Sequence, residues 1–302
     1  MAQLGYRVME EFRNIGIIGR LNSNKVIETV KRLSKFLTEE GHNVILDDRI
    51  AEVIPGHNMQ VSNVNLLGEI CDLVIVVGGD GSLLGAARAL AKYHIPVLGI
   101  NRGRLGFLTD ISPDENMCDE VMAVLHGEYV SELRFLLDAE VKRDGNPIGS
   151  AAALNDVVLH PGKSARMIAF DLFIEGQYVY NQRSDGLIVS TPTGSTAYSL
   201  SGGGPIMHPK LDALVLVPMF PHTLSSRPIV VDGKSEIKIH IDASQDIYPT
   251  VSCDGQTHIP CAPGDTITIR KKAHKLKLIH PKGHNFYEIC RTKLGWSSNL
   301  GE

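Results

Sequence analysis

The sequence has little that would staple a fold or give it a strong charge. Its five cysteines, Cys71, Cys118, Cys253, Cys261 and Cys290, are odd in number, scattered and never spaced as CxxC. That excludes a disulfide framework or a zinc knuckle and fits a reducing compartment. There is no basic excess: 30 Lys and Arg stand against 34 Asp and Glu, for a net charge of −4. A general nucleic-acid partner is therefore not expected, because phosphate neutralisation needs a basic surface. Long apolar runs are missing as well, and the run Leu214–Phe220 is far too short to span a bilayer. The opening "MAQLGYRVMEEFRN" carries acidic groups and no apolar signal core. A soluble cytoplasmic protein with no membrane partner is expected. With 302 residues the chain can hold two domains and a sizeable core.

Familiar catalytic loops are also missing. The dinucleotide fingerprint GxGxxG fails because Leu84 stands three positions after Gly81, and no Gly-Lys-Ser/Thr follows to complete a P-loop. The twelve histidines are read as showing neither HxxxH nor HExxH spacing, and no Ser-His-Asp arrangement is readable. His208, His222, His240, His274 and His280 read as surface or packing residues of a β domain, and no protein metal site is expected.

What is present begins with alternation of strand and helix. "NIGIIG" (residues 14–19) reads as a buried strand, and "NKVIETVKRLSKFLTEEG" as a helix with Val26, Ile27, Val30, Leu33, Phe36 and Leu37 at helical spacing. Gly41 stands where a glycine stops a helix. "NVILDD", "DLVIVV" and "IPVLGI" read as further strands, and the unbroken apolar run of "DLVIVV" suits a central parallel strand. "LLGAARALAKY" reads as a helix, as does "SPDENMCDEVMAVLHGEY". Near residue 130 the character changes to strand composition broken by turn residues, with clear alternation at 236–241 and 266–270. "HNFYEICRTKLGW" turns helical again, with Phe286, Ile289, Cys290 and Leu294 on one face. The expected fold is α/β plus all-β. An open doubly wound α/β domain covers residues 1–130, and a β-rich domain covers 131–283. A C-terminal helix, within 284–302, packs back on the first domain.

Three stretches concentrate polar chemistry. In "GGDGS", residues 78–82, glycines allow close approach of a backbone to a ligand, and the strand-to-helix turn aims N–H groups outward as an anion site. Asp80 at its rim reads either as a catalytic carboxylate or as a cap on the helix that follows. "RSDGLIVSTPTGSTAYSLSGGGPI", residues 183–206, is dense in Gly, Ser and Thr. Ser190, Thr191, Thr193, Ser195, Thr196, Ser199 and Ser201 offer small hydrogen-bonding groups to a polar ligand, and Tyr198 offers a flat ring to a base. Embedded apolar residues favour a packed binding loop over a flexible linker. "AALNDVVLH" sets Asn155 and Asp156 in an apolar run, either as a buried polar pair that needs partners or as a solvated bulge. Arg20, Arg166 and Arg183 are candidate phosphate or carboxylate contacts.

Taken together, "GGDGS", "NRGRLGFLTD", "LNDVV" and "DGLIVSTPTGSTAYSLSGGGPI", in that order, closely resemble the NAD kinase family. Its members are ATP-dependent 2′-phosphotransferases that make NADP. The glycine-Asp turn alone is shared with lipid kinases and phosphofructokinases; the long Ser/Thr/Gly segment with Asn155 and Asp156 is more specific. The resemblance implies NAD and ATP as substrates, a divalent ion (Mg²⁺) carried with ATP, and a homo-oligomer, commonly a tetramer. It implies an NAD site between an α/β domain and a β-rich domain. It also implies Asp80 as the base acting on the ribose 2′-hydroxyl, with Gly79 and Gly81 in the phosphate-binding turn. Asn155, Asp156, Arg166, Arg183, Asp185 and Gln256 match substrate-binding positions. Thr196, Ala197, Tyr198, Ser199, Leu200 and Ser201 match the segment that embraces adenosine. Ser82 stands where many members carry Thr, and Asp156 where many carry Glu; both keep the functional group. The competing readings are a related kinase of another acceptor, a non-catalytic dinucleotide sensor, or a dehydrogenase, which the missing GxGxxG disfavours.

Overall fold

A computed structural model describes residues 12–20, 23–102 and 106–296. The chain divides into two compact units. One comprises the described residues up to Glu132 together with those from Leu276 onward; the other is Leu133–Lys275.

The first unit is built on parallel strands. In chain order its elements are β1 (Asn14–Gly19), α1 (Asn24–Glu39), β2 (Asn43–Asp47), α2 (Asp48–Ala51), β3 (Gln60–Ser62), α3 (Val64–Ile70), β4 (Leu73–Val77), α4 (Asp80–Leu90), β5 (Pro96–Ile100) and α5 (Met117–Leu125). The strands lie in the order β3-β2-β1-β4-β5, all parallel, with Ile15 beside Leu73 and Val74 beside Val97. Every residue of β4 is buried, as its unbroken apolar run requires of a strand covered on both faces. α1 buries Val26, Val30, Leu33 and Leu37 against that sheet and stops at Gly41, whose φ of +86° suits a glycine. β3 and α3 fall in a stretch that composition left unassigned. β3 is only three residues long, and α3 is announced mainly by Asn63, whose side chain accepts a hydrogen bond from Leu66 N at 3.0 Å.

The strand order reverses at β1, which has β2 on one side and β4 on the other. The turn after β4 therefore opens at the carboxyl ends of the strands beside a topological switch point, where open α/β sheets bind ligands.

The second unit is a β-sandwich. The remaining elements are β6 (Tyr129–Arg143), β7 (Asn146–Ala153), β8 (Asp156–His160), β9 (Ile168–Ile174), β10 (Gln177–Ser184), β11 (Gly186–Ser190), α6 (Tyr198–Ser201), β12 (Ala213–Met219), β13 (Ile229–Asp232), β14 (Ile237–Ile241), β15 (Thr250–Cys253), β16 (Thr257–Pro260), β17 (Thr266–Pro281) and α7 (Phe286–Leu294). One antiparallel sheet runs β13-β12-β11-β8-β15-β16. β10, β9, β14 and the first half of β17 form the other layer, and β6 and β7 form a hairpin. Leu187, Val189, Leu214 and Leu216 from the first layer meet Phe170, Leu172, Ile239 and Ile267 from the second in one core. The end of β17 belongs to the first unit, where Lys277–Ile279 pairs in parallel with Pro96–Leu98 of β5. α7 follows with Ile289 and Cys290 buried, and its Lys293 ammonium lies 5.4 Å from the centre of the Phe107 ring.

Candidate functional site

The glycine-Asp turn settles how Asp80 is used structurally. Gly79, in extended conformation, caps α4, and no side chain caps that helix. The cap reading of Asp80 is therefore wrong. Its carboxylate instead reaches a loop 27–29 residues further on: Phe107 N donates at 2.8 Å, Leu108 N at 3.1 Å and the Thr109 hydroxyl at 3.3 Å. Gly106 is required for this contact, because a Cβ there would collide with the Asp80 carboxylate and the Thr109 hydroxyl. A Cβ at Gly79 would meet open space, so nothing within the fold demands that glycine. Gly106 and Thr109 are functional candidates that reading residue types one stretch at a time did not single out.

In the second unit, a cleft of about 420 Å³ is lined by Asn155, Asp156, His160, Ala197, Tyr198, Ser252 and Asp254, among others. Four sequence-predicted residues are thus brought together. Asp156 is buried at 4% exposure, so the polar-pair reading holds for it and the solvated-bulge reading does not. Burial, then the nearby Asp254, raise its pKa from 3.8 to about 7. The side-chain oxygen of Asn155 is buried and has no hydrogen-bond partner. His160 sits in the same cleft with its pKa lowered by burial and by His258.

Asp254 organises this cleft. It lies in the three-residue hairpin loop between β15 and β16, Asp254 to Gln256, where Asp254 and Gly255 have positive φ of 53° and 62°. Its carboxylate accepts from Leu154 N at 3.0 Å, Asn155 N at 2.8 Å and Asp156 N at 3.4 Å. This residue was missed. Its signal was the "DG" pair inside "CDGQ", where only Gln256 was singled out; Gln256 itself is exposed in the same turn.

The Ser/Thr segment is packed, but several of its hydroxyls face the protein and not a ligand. Thr191 donates to Leu154 O at 2.6 Å, Ser195 to Pro192 O at 2.7 Å, and Ser190 lies within bonding distance of the Asn155 and Thr191 carbonyls. The expectation that Ser190, Thr191 and Ser195 serve a ligand is corrected accordingly. Ser199 is fully buried and its hydroxyl has no partner. Tyr198 is about half exposed; it lines the cleft on one side and, with Ser201, a second cavity of about 310 Å³ on the other. Thr196 bonds to Thr193 O at 3.4 Å within the same turn, and Leu200 continues α6. Arg166 and Arg183 are not brought to this cleft. They line a separate cavity of about 530 Å³, where Arg166 pairs with Asp246 at 2.9 Å. Asp185 lines none of these cavities and is placed by its backbone, which donates to Met219 O at 2.9 Å.

One histidine reading is overturned. His280 is not a β-domain surface residue: it is fully buried in the first unit, against Asp110 and close to His284. The signal was present as "HPKGH", two histidines four residues apart.

The chain matches the ATP-NAD kinase N-terminal domain over residues 15–129 and the ATP-NAD kinase C-terminal domain over residues 154–281. It is 71% identical to the NAD kinase of Hahella chejuensis, over 96% of this chain and 98% of that protein. To the NAD kinase of Pseudomonas putida strain W619 it is 69% identical, over 97% and 99% of the two chains. Among solved structures, yeast NADH kinase complexed with NADH superposes with a TM-score of 0.86 at 26% identity, over 96% of this chain and 89% of that one. An NAD kinase from Archaeoglobus fulgidus in complex with ATP gives 0.67 at 27% identity, over 93% and 97%. With both domain types matched and about 70% identity along nearly its whole length, the chain belongs to the NAD kinase family.

Proposed function

We propose that this enzyme transfers the γ-phosphoryl group of ATP to the 2′-hydroxyl of the adenosine ribose of NAD, giving NADP and ADP. The observation that carries the reading is the Asp80 carboxylate, fixed by three hydrogen bonds on a glycine turn at the carboxyl end of β4. Phosphoryl transfer asks a protein mainly for positioning and charge stabilisation, and a hydroxyl acceptor must lose its proton as the new bond forms. Asp80 accepts that proton, and the phosphoryl group leaves ADP for the ribose oxygen. Gly79 and Gly81 keep the turn free of side chains, so that its N–H groups and the start of α4 face phosphate oxygens.

Asn155 and Asp156 supply the polar groups that orient the dinucleotide, and Tyr198 packs on a nucleotide ring. A buried amide oxygen without a partner at Asn155 and a half-exposed ring at Tyr198 support this assignment. Thr196, Ala197, Ser199, Leu200 and Ser201 shape the same segment. Arg166, Arg183, Asp185 and Gln256 are assigned to substrate contact by family likeness alone. A divalent ion, Mg²⁺, belongs with the nucleotide. An ion held mainly by phosphate oxygens and water needs no dedicated protein cage at the turn. The ion supplies neutralisation of phosphate charge. We place the enzyme in the cytoplasm as a homo-oligomer, with a tetramer favoured. Among the described residues no helix is long and apolar enough to cross a membrane.

The test is an assay of the purified protein with ATP, Mg²⁺ and NAD, scored for NADP, with NADH and polyphosphate as alternative acceptor and donor. Asp80→Asn is expected to lower turnover by roughly 10²–10⁴-fold while NAD still binds. Near-normal turnover in that variant removes Asp80 from the base role, and absence of NADP formation by the parent protein removes the function.

A further inference from the structure

Asp110, His280 and His284 form a cluster that this phosphoryl transfer does not use. All three lie in the first unit: Asp110 directly after the loop that holds Asp80, His280 near the end of β17, and His284 just before α7. One ligand atom from each lies within 4.8 Å of the others. Asp110 Oδ1 is 3.2 Å from His284 Nδ1, while Oδ2 contacts His280 Nδ1, and the two imidazole rings stack with centres 3.8 Å apart. The His280 side chain is fully buried, and those of His284 and Asp110 are 6% and 14% exposed.

The tautomer of His280 is the informative detail. If its Nδ1 carries the proton and donates to Asp110, the opposite nitrogen is left as a bare acceptor. That Nε2 is buried, has no hydrogen-bond partner, and faces Glu132 Oε2 at 3.7 Å, so acceptor would face acceptor. A cation on Nδ1 reverses the tautomer: Nε2 then carries the hydrogen and points it at a carboxylate. This is the carboxylate–histidine–metal arrangement that orients metal-bound imidazoles. Beside the cluster, a cavity of about 480 Å³ is lined by Asp110, His284, Glu120, Glu128 and Glu288 together with Lys282, so carboxylates outnumber ammonium groups along a cation's approach.

We propose that Asp110, His280 and His284 form a binding site for a zinc-type divalent cation, separate from the ion carried by ATP. Two imidazoles and a carboxylate suit Zn²⁺, Co²⁺ or Ni²⁺ better than Mg²⁺ or Ca²⁺, which prefer all-oxygen sets. Such an ion ties the 106–110 loop to the end of β17 and the start of α7. Because Phe107, Leu108 and Thr109 of that loop hold the Asp80 carboxylate, the ion acts as a brace for the catalytic turn.

The experiment uses the full chain, stripped with a chelator and kept in excess Mg²⁺ so that oxygen-only sites are filled. Co²⁺ is titrated and its ligand-field absorption followed, then displaced with Zn²⁺; thermal unfolding is recorded with and without Zn²⁺. One equivalent with the intense visible bands of a low-coordinate site, displaced by Zn²⁺ and accompanied by a higher unfolding midpoint, supports the proposal. His284→Gln, at a partly exposed position, should weaken binding by about 10–100-fold or more and abolish the midpoint shift. A wild-type protein with no such bands and no shift overturns the site. Unchanged Co²⁺ binding in His284→Gln overturns it equally, by placing the cation elsewhere.

Discussion

Asp156→Asn should make the free protein more stable at neutral and alkaline pH, although it removes a charge from the proposed substrate cleft. The carboxyl of Asp156 is buried beside Asp254, and its pKa rises from 3.8 to about 7. At about 1.4 kcal/mol for each tenfold change in proton affinity, that rise corresponds to about 4 kcal/mol against the ionised form in the folded state. The sign follows from linkage. The folded protein holds this proton more tightly than the unfolded chain, so the stability present below about pH 4 is lost progressively as pH rises to about 7 and stays lost above it. Asparagine has nearly the same shape and no proton to lose. Urea unfolding of both proteins without nucleotide, from about pH 5 to pH 8.5, should therefore show a difference that grows in favour of the variant. About 1.6 kcal/mol of that difference is already present at pH 5, and it rises to about 4 kcal/mol above pH 7.5, so roughly 2.7 kcal/mol accrues across the range. His160 in the same cleft titrates in both proteins and cancels in the difference. A difference that does not vary with pH would show that Asp156 is not a carboxylic acid strained by burial. The same substitution should remove one ionisation from the pH dependence of the KM for NAD.

Three further outcomes follow from single contacts. Gly106→Ala drives a methyl group into the Asp80 carboxylate and the Thr109 hydroxyl, so kcat should fall by roughly 10-fold or more while NAD affinity, measured by calorimetry, stays within a few-fold; an unchanged kcat would show that the carboxylate's position is not critical. Tyr198→Ala deletes a half-exposed ring and should leave the unfolding midpoint almost unchanged while raising the Kd for NAD by roughly 5–30-fold, the worth of about 1–2 kcal/mol of ring contact; unchanged affinity refutes packing on a nucleotide. Arg166→Ala breaks an exposed pair with Asp246, which contributes little to stability, so a higher KM for NAD at constant unfolding midpoint would mark substrate contact, and an unchanged KM would remove Arg166 from the site.

Whatever depended on local pattern was legible in the sequence. The apolar run of β4 identified a doubly covered parallel strand, helical spacing identified α1, and alternation identified β14 and β17. What failed was decided by distant partners. Composition could count the hydroxyls of Ser190, Thr191 and Ser195 but not their direction, which is set by the carbonyls of Leu154, Asn155, Pro192 and Met207. His280 was assigned to the β domain because β17 alternates clearly at its start, while its last residues pair with β5 in the other unit. Arg166 and Arg183, which carry the right chemistry for an anion, line a cavity of their own, and their substrate contact stands as a proposal that the Arg166→Ala assay tests.

Asp80, singled out in the sequence, and Asp254, missed there, share one device. Asp80 accepts hydrogen bonds from Phe107, Leu108 and Thr109, and Asp254 accepts them from Leu154, Asn155 and Asp156; each carboxylate clamps three consecutive residues of a remote segment. In one unit the clamp itself is the proposed catalytic group, and in the other it presents the two residues that line the cleft. Asp80→Asn therefore changes two things at once, because the amide cannot accept three hydrogen bonds as the carboxylate does. Separate readouts distinguish them. Loss of the clamp exposes the amides of Phe107 and Leu108 to faster hydrogen exchange and lowers the unfolding midpoint, as each lost bond to a charged acceptor is worth about 1.5–3 kcal/mol. Loss of the base lowers kcat while NAD affinity is kept. Glutamate at position 80 keeps the charge but carries it one methylene further, so it should restore part of kcat while leaving the loop amides exposed. If Asp80→Glu recovers neither, the carboxylate acts on the reaction only through the loop it holds.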